Sequence, residues 1–365
     1  MKKILPIIII VAFIALGVGV YFGWQKARPY LNPAQTPSPT AEELLKQKIK
    51  ILSDKEVFDY WLNTSTSTTE INYISPEGKI FKANDQNEVV SNQVVDNLQA
   101  IKTSYNGSMI LIKSGSSVSS TFNIFDLQKK VWQSLGIGVT AADWSPTEQK
   151  IIYLIDTKTG ASNLIVKDLI TKAKQKTTTI MSLTQKDFDL SWIDKDNVLL
   201  IPRPSSQTKG ESWIINLKDK SIKLLASGDG LMISWQKNIN QGIKLISNQG
   251  KLIMSLINKD GQENTLSFYS FPDKCVATAS STLYCAITTN TSQPINTLNL
   301  PDDYLKKAVY FNNSVYKITT DNTTEPEEIF TASDNAPIDV YRLTKTGSSL
   351  LFINRYDNKL YQFDL

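Results

Sequence analysis

The chain has 365 residues, 41% of them hydrophobic and 20% charged, enough for a large buried core. Its formal charge of +4 comes wholly from Lys2, Lys3, Lys26 and Arg28, because residues 31–365 balance 35 basic against 35 acidic side chains. A neutral body lacks the single-sign field of a nucleic-acid-binding surface, and the complete absence of histidine excludes Ser-His-Asp and Cys-His catalysis, a histidine general base, and histidine-ligated zinc, copper or haem.

From Ile4 to Trp24 the chain carries no charge, and this run matches the roughly 20 residues a helix needs to cross about 30 Å of hydrocarbon. Tyr21 and Trp24 sit at its far end, where amphipathic rings favour the headgroup level. The run exceeds a signal-peptide core and no small-x-small cleavage site follows it, so an uncleaved signal-anchor over residues 1–28 is expected. The N-terminus is placed in the cytoplasm, because a long C-terminal domain translocates regardless of charge. Everything after the helix is then extracytoplasmic, tethered by a single pass. Ala15, Gly19 and Gly23 form a small-residue stripe that would let two such helices approach as a weak homodimer. Glycine is also common in membrane helices that have no partner.

Pro29, Pro33, Pro37 and Pro39 make residues 29–40 a semi-rigid, extended spacer. The sequence Thr40-Ala-Glu-Glu43 is a capping box, and Leu44, Leu45, Ile49 and Leu52 follow at helical spacing. This predicts a short amphipathic helix over 41–53, docked on the next domain. A helix that instead binds a partner is the alternative.

Over 54–365 no sustained helical period appears, only short β-branched and aromatic runs between polar turns, which predicts an all-β domain. Three runs align on tryptophan: Asp143-Trp144-Ser145-Pro146, Ser191-Trp192-Ile193-Asp194 and Ser234-Trp235-Gln236, each followed by an apolar strand. The spacings of 48 and 43 residues, with four short strands per unit, match the period of a propeller blade. A β-propeller of seven four-stranded blades is therefore expected, with six or eight as alternatives because 286–335 is irregular.

Trp144-Ser145-Pro146, followed by Ile151-Ile152-Tyr153, resembles the blade signature of bacterial TolB-type propellers and of the propeller domains of prolyl-oligopeptidase and dipeptidyl-peptidase proteins. The resemblance implies a fold in which the tryptophan packs between blades and Ser-Pro shapes the hairpin. It carries no activity. Thr147-Glu148 stands where Asp-Gly is usual, no G-x-S-x-G occurs, and the hydrolase domain of the peptidases and the separate N-terminal domain of TolB are both lacking.

Cys275 and Cys285 are symmetric about a predicted turn near residue 280. Opposed positions bring Cβ atoms to about 4.5–5.5 Å, which suits a cross-strand disulfide. Two buried reduced thiols are the other reading. A metal site would need more ligands than two thiols. Asn258–Glu263, with oxygens at alternate positions and Gly261, reads as a hairpin turn rather than a calcium loop. The adjacent carboxylates Asp302-Asp303 and Glu327-Glu328 read as solvated loop charges.

No catalytic, metal or cofactor set is expected. The reading is a membrane-anchored, non-enzymatic binding or scaffold module. It would engage the bilayer through residues 4–24 and an envelope protein, peptide or glycan at a propeller face. The alternative is an enzyme acting on an extracellular polymer through carboxylate or tyrosine chemistry.

Overall fold

The computed structural model describes residues 48–365 except 85, 117–118, 170–175, 249–250, 280, 292–296, 321–324 and 333–335. The expected membrane span, its stripe Ala15, Gly19 and Gly23, the spacer and residues 41–47 lie outside the described residues. Among those described, no helix is long and apolar enough to cross a membrane.

Alternating apolar positions produce strands throughout, and the strands assort into antiparallel sheets in chain order. After β1 (Ile49–Ile51), the first sheet holds β2 (Asp59–Asn63), β3 (Glu70–Ile74), β4 (Ile80–Lys82) and β5 (Val89–Ser91). The second holds β6 (Leu98–Thr103), β7 (Met109–Ser116), β8 (Ser119–Asp126) and β9 (Val131–Gly136). The third holds β10 (Val139–Trp144), β11 (Lys150–Asp156), β12 (Ser162–Asp168) and β13 (Thr177–Leu183).

A seven-stranded sheet follows, with β14 (Phe188–Trp192), β15 (Asn197–Pro202), β16 (Lys209–Asn216), β17 (Ile222–Gln236), β18 (Gln241–Asn248), β19 (Lys251–Ile257) and β20 (Glu263–Thr265). Next come β21 (Cys275–Ala279), β22 (Thr282–Thr291), β23 (Phe311–Thr319) and β24 (Glu327–Thr331), with a short helix α1 (Asp302–Leu305) between β22 and β23. The last sheet joins β25 (Val340–Thr346), β26 (Ser349–Asn354) and β27 (Lys359–Asp364) to β1, from the other end of the described chain.

The seven-stranded sheet is continuous only through β17. Its first half pairs with β16 and its second with β18, with a register shift between Asp229 and Met232. Gly228 and Gly230 make that corner. A Cβ on Gly228 would meet Ile246 Cγ2 at 2.7 Å, and Gly230 has φ +62° with Pro301 Cδ at 2.8 Å from the place of its Cβ. The bend is sharp enough for the two halves to pack on each other, Leu199, Ile214 and Leu225 meeting Leu231, Trp235 and Ile257 in one core cluster. Every other cluster likewise joins successive sheets. The last joins Leu351, Ile353 and Leu360 to Tyr60, Tyr73 and Phe81, so the last sheet packs on the first described one.

The predicted helix over 41–53 is corrected at residues 49–51, which are strand β1. Ile49, Lys50 and Ile51 pair with Phe363, Gln362 and Tyr361, and the Leu52 amide donates to Leu360 O at 2.8 Å. The capping box gave a local helical signal, but β27 presents an open edge that needs partners. Ile49 gains burial in the cluster of Val315, Phe330 and Phe352. Tertiary hydrogen bonds and burial outweigh a helix preference worth only tenths of a kcal/mol per residue, roughly.

Cys275 and Cys285 sit directly opposite on β21 and β22 and are joined as a disulfide with Cα atoms 4.2 Å apart. The bridge closes a loop with a sequence separation of 10. The chain-entropy account therefore predicts that Cys275→Ser with Cys285→Ser lowers stability by about 2–3 kcal/mol. Thermal unfolding with and without a thiol reductant checks this, and equal midpoints for parent and double variant would sink it.

Candidate functional site

Strand alternation in antiparallel sheets puts the first-to-second-strand turns of every sheet on one rim, here called lower. The second-to-third-strand turns and the links between sheets lie on the upper rim. First strands line the axis. Parts of β2, β6, β10, β14, β17 and β25 enclose a cavity of about 600 Å³, which also takes in Thr64, Ser104 to Tyr105, and Lys237 at the lower rim.

Six charged side chains line it, three of each sign, so the cavity repeats the neutrality of the whole body. Arg342 Nη2 lies 2.6 Å from Asp59 Oδ2, Lys102 Nζ 2.7 Å from Asp189 Oδ1, and Lys237 Nζ 3.9 Å from Asp143 Oδ2. Each aspartate also accepts a backbone amide: Tyr60 N–H onto Asp59 and Leu190 N–H onto Asp189, both at 2.9 Å, and Trp192 N–H onto Asp143 at 2.7 Å. Burial still raises the Asp59 carboxyl above its ordinary value, against the pull of Arg342. Asp59 in turn drives the Arg342 guanidinium up. The Tyr60 hydroxyl is buried, its one proton shared between Arg342 O at 2.5 Å and Leu351 O at 2.8 Å, and burial raises its pKa.

Arg342 reaches the cavity through a β-bulge. The register between β25 and β26 shifts between Tyr341 and Thr344, and Arg342 has φ 56°, a left-handed conformation that is costly for a long side chain. Bulges redirect side chains at sites of this kind.

Of the residues singled out from sequence, Trp144 is fully buried among Leu111, Phe122 and Ile124 of the preceding sheet. Its indole donates to Lys102 O at 2.9 Å. Trp192 packs on Ala141 and Ile152 of its preceding sheet in the same way, and Trp235 packs across the β17 corner and lines the cavity. The Ser145 hydroxyl accepts the amides of Thr147 at 3.4 Å and Glu148 at 3.2 Å, shaping the turn after Trp144, with Pro146 inside it. The cysteine pair lies in another core cluster, away from the cavity. Sequence reasoning missed Asp59, Lys102, Asp189 and Arg342. Their only local signal is a charge on the inward face of a first strand.

It also missed a buried ionic cluster on the upper rim. Lys274 bonds the Asp339 carboxylate and, at 2.9 Å, Asn313 Oδ1. Arg355 reaches the other Asp339 oxygen at 2.9 Å and Tyr304 O at 2.8 Å. The rings of Phe271, Tyr304 and Phe311 surround the ammonium. Desolvation lowers the Lys274 pKa. All these groups are buried, and they bind helix α1 to two sheets.

Asp302-Asp303, expected as solvated loop charge, are corrected here. Asp302 accepts the Ser206 amide at 2.5 Å and Asp303 the Asn299 amide at 2.8 Å, and the Ser206 hydrogen bond lowers the Asp302 pKa. Among the described residues no group of three or more Cys, Asp or Glu could hold a metal ion.

Four-stranded antiparallel sheets around an axial cavity, with a strand from the start of the ring completing the last sheet, define a β-propeller. No protein-family model matches the chain, and no curated protein sequence matches it. Among solved structures it is similar to the tricorn protease (TM-score 0.52, 10% identity), over 90% of this chain and 34% of that one. It is similar to the β-propeller domain of Myceliophteria thermophila Cps50 (Swd1) (TM-score 0.52, 8% identity), over 87% of this chain and 98% of that one. TolB from Acinetobacter baumannii aligns with TM-score 0.42 and 13% identity, over 84% and 79% of the two chains. The chain thus spans about a third of the tricorn protease. At these identities the likeness is one of fold, and it agrees with the resemblance read from Trp144-Ser145-Pro146.

Proposed function

We propose that this chain is a non-enzymatic binding or scaffold module. It is a seven-bladed propeller held on the outer face of a membrane by the helix Ile4–Trp24, and an envelope protein, peptide or glycan seats at the lower mouth of its cavity. One observation carries the binding reading over the enzymatic one. Every cavity aspartate accepts one backbone N–H and lies beside a cation rather than paired with a second carboxylate, which favours recognition over an acid/base pair. The Tyr60 hydroxyl is committed to two carbonyls. Seven blades are supported if β17 serves two of them, and the core clusters then join each blade to the next and the last to the first. Anchoring is supported by the uncharged run 4–24 and by the disulfide, which suits an oxidising compartment.

A photo-crosslinking residue placed at Tyr105, 49% exposed on the lower rim, tests the reading in intact cells. A specific adduct is expected there and none from Lys306 on the upper rim. Adducts only from Lys306, or from neither position, would remove it.

A further inference from the structure

The buried cluster on the upper rim holds three groups that the binding reading leaves unused. Lys274 ends the short turn Pro272–Lys274 ahead of β21, Asn313 lies on β23, and Asp339 immediately precedes β25. All three are 0% exposed. Lys274 Nζ donates to Asn313 Oδ1 at 2.9 Å and to the Asp339 carboxylate. Asn313 Oδ1 also accepts the Val340 amide at 2.9 Å. Two donors on one oxygen fix the orientation of the carboxamide, and its Nδ2 is left buried with no partner among the described residues. From a hydrogen bond to Oδ1, across a C=O of about 1.23 Å, Nζ lies roughly 3–4 Å from Cγ. That is close to the separation from which a nucleophile attacks.

The neighbours suit amide chemistry. Burial disfavours the Lys274 ammonium, against the pull of Asp339, and so favours the free, nucleophilic amine. The Val340 N–H stands where a developing oxyanion needs a donor. Asp339 is within reach of the Nζ protons, while Arg355 at 2.9 Å and the Phe311 amide at 3.1 Å hold its other oxygen. The rings of Phe271, Tyr304 and Phe311 stand around the amine and exclude water that would compete for Cγ. Unreacted, the cluster is costly: a buried ammonium and a buried guanidinium share Asp339 beside an orphaned amide nitrogen.

We infer that Lys274 and Asn313 condense into an isopeptide bond, with Asp339 carrying the protons. Asp339 takes one proton from Nζ, and the freed electron pair forms the Nζ–Cγ bond. The Cγ–Nδ2 bond breaks with its pair on nitrogen, which receives that proton from Asp339 and leaves as ammonia. Asp339 then takes a second proton from Nζ and yields it to the ammonia, which departs as ammonium. Nothing is oxidised or reduced, and Asp339 ends as a carboxylate paired with Arg355 alone. The bond would close a loop with a sequence separation of 39 that contains α1, next to the Cys275–Cys285 bridge. It is independent of what the axial cavity binds.

The test is peptide mapping by tandem mass spectrometry of the full chain, purified in detergent, with its cysteines reduced and alkylated. A branched peptide joining Lys274 to Asn313, one ammonia lighter than its two parts, is expected. Unlinked peptides carrying Lys274 and Asn313 would overturn the inference. So would a branch joining Lys274 to Asp339, one water lighter, or a loss of ammonia without any branch. Asp339→Asn should leave less than about a tenth of the branched peptide, since general acid–base help is worth roughly 10²–10⁴ in rate. Asp339→Asn with Arg355→Gln removes the carboxylate without stranding the guanidinium, which guards against misfolding, and should lack the branch as well. A branch at the parent level in either variant would take Asp339 out of the reaction.

Discussion

Trp144→Ala is expected to lower the free energy of unfolding by about 3–5 kcal/mol, the range for deleting a large aromatic from a packed core. The side chain is fully buried between the second and third sheets. Its loss leaves a cavity that Leu111 and Ile124, held by strand pairing, are poorly placed to fill. It also strips the indole hydrogen bond from Lys102 O, on a strand whose side chain crosses the axial cavity to Asp189. Trp235→Ala should cost less, because that indole nitrogen has no partner to lose. Urea denaturation of the two variants beside the parent checks both the size and the order. A loss below about 1 kcal/mol at Trp144 would show that the seam between sheets relaxes, against the close packing of protein interiors.

Asp339→Asn should be at least as damaging, by about 3–5 kcal/mol, because removing one member of a buried ion pair strands the charge of the other. Two charges are stranded here. Lys274 and Arg355 both lean on Asp339, and neither has solvent to turn to. Asparagine keeps only one acceptor oxygen, so either Lys274, or Arg355 together with the Phe311 amide 3.1 Å away, must face its NH2 group. Lys274→Met with Asp339→Asn should recover part of the loss, since it leaves one buried charge, on Arg355, in place of two. The same denaturation series would show it. If the double variant is no better than Asp339→Asn, packing rather than charge governs the cluster.

The parts of the fold visible in the sequence were local ones. Trp144, Trp192 and Trp235 share a setting because each repeat must bury an aromatic against its neighbour, and the need recurs at every seam. Cys275 and Cys285 could be paired because a ten-residue separation about a turn leaves few geometries. The segment at 49–51 misled for the same reason: its capping box is a local signal, whereas its fate is decided by an unpaired edge more than three hundred residues later. Asp302 likewise looked like loop charge until the fold brought the Ser206 amide to it.

The candidate site was hidden more deeply. Asp59 and Arg342 are 283 residues apart, and Lys102 and Asp189 are 87 apart. No periodicity links such pairs, because each member obeys only the alternation of its own strand. By itself the sequence determined the absence of histidine chemistry, the electrical neutrality of the body, the strand periodicity and the repeating tryptophan. Those depend on composition and on contacts between neighbours in the chain. Which inward-facing charges meet was decided only when the ring closed. Closure turns the first strands toward a common axis, so residues with no sequence relation become one another's nearest partners.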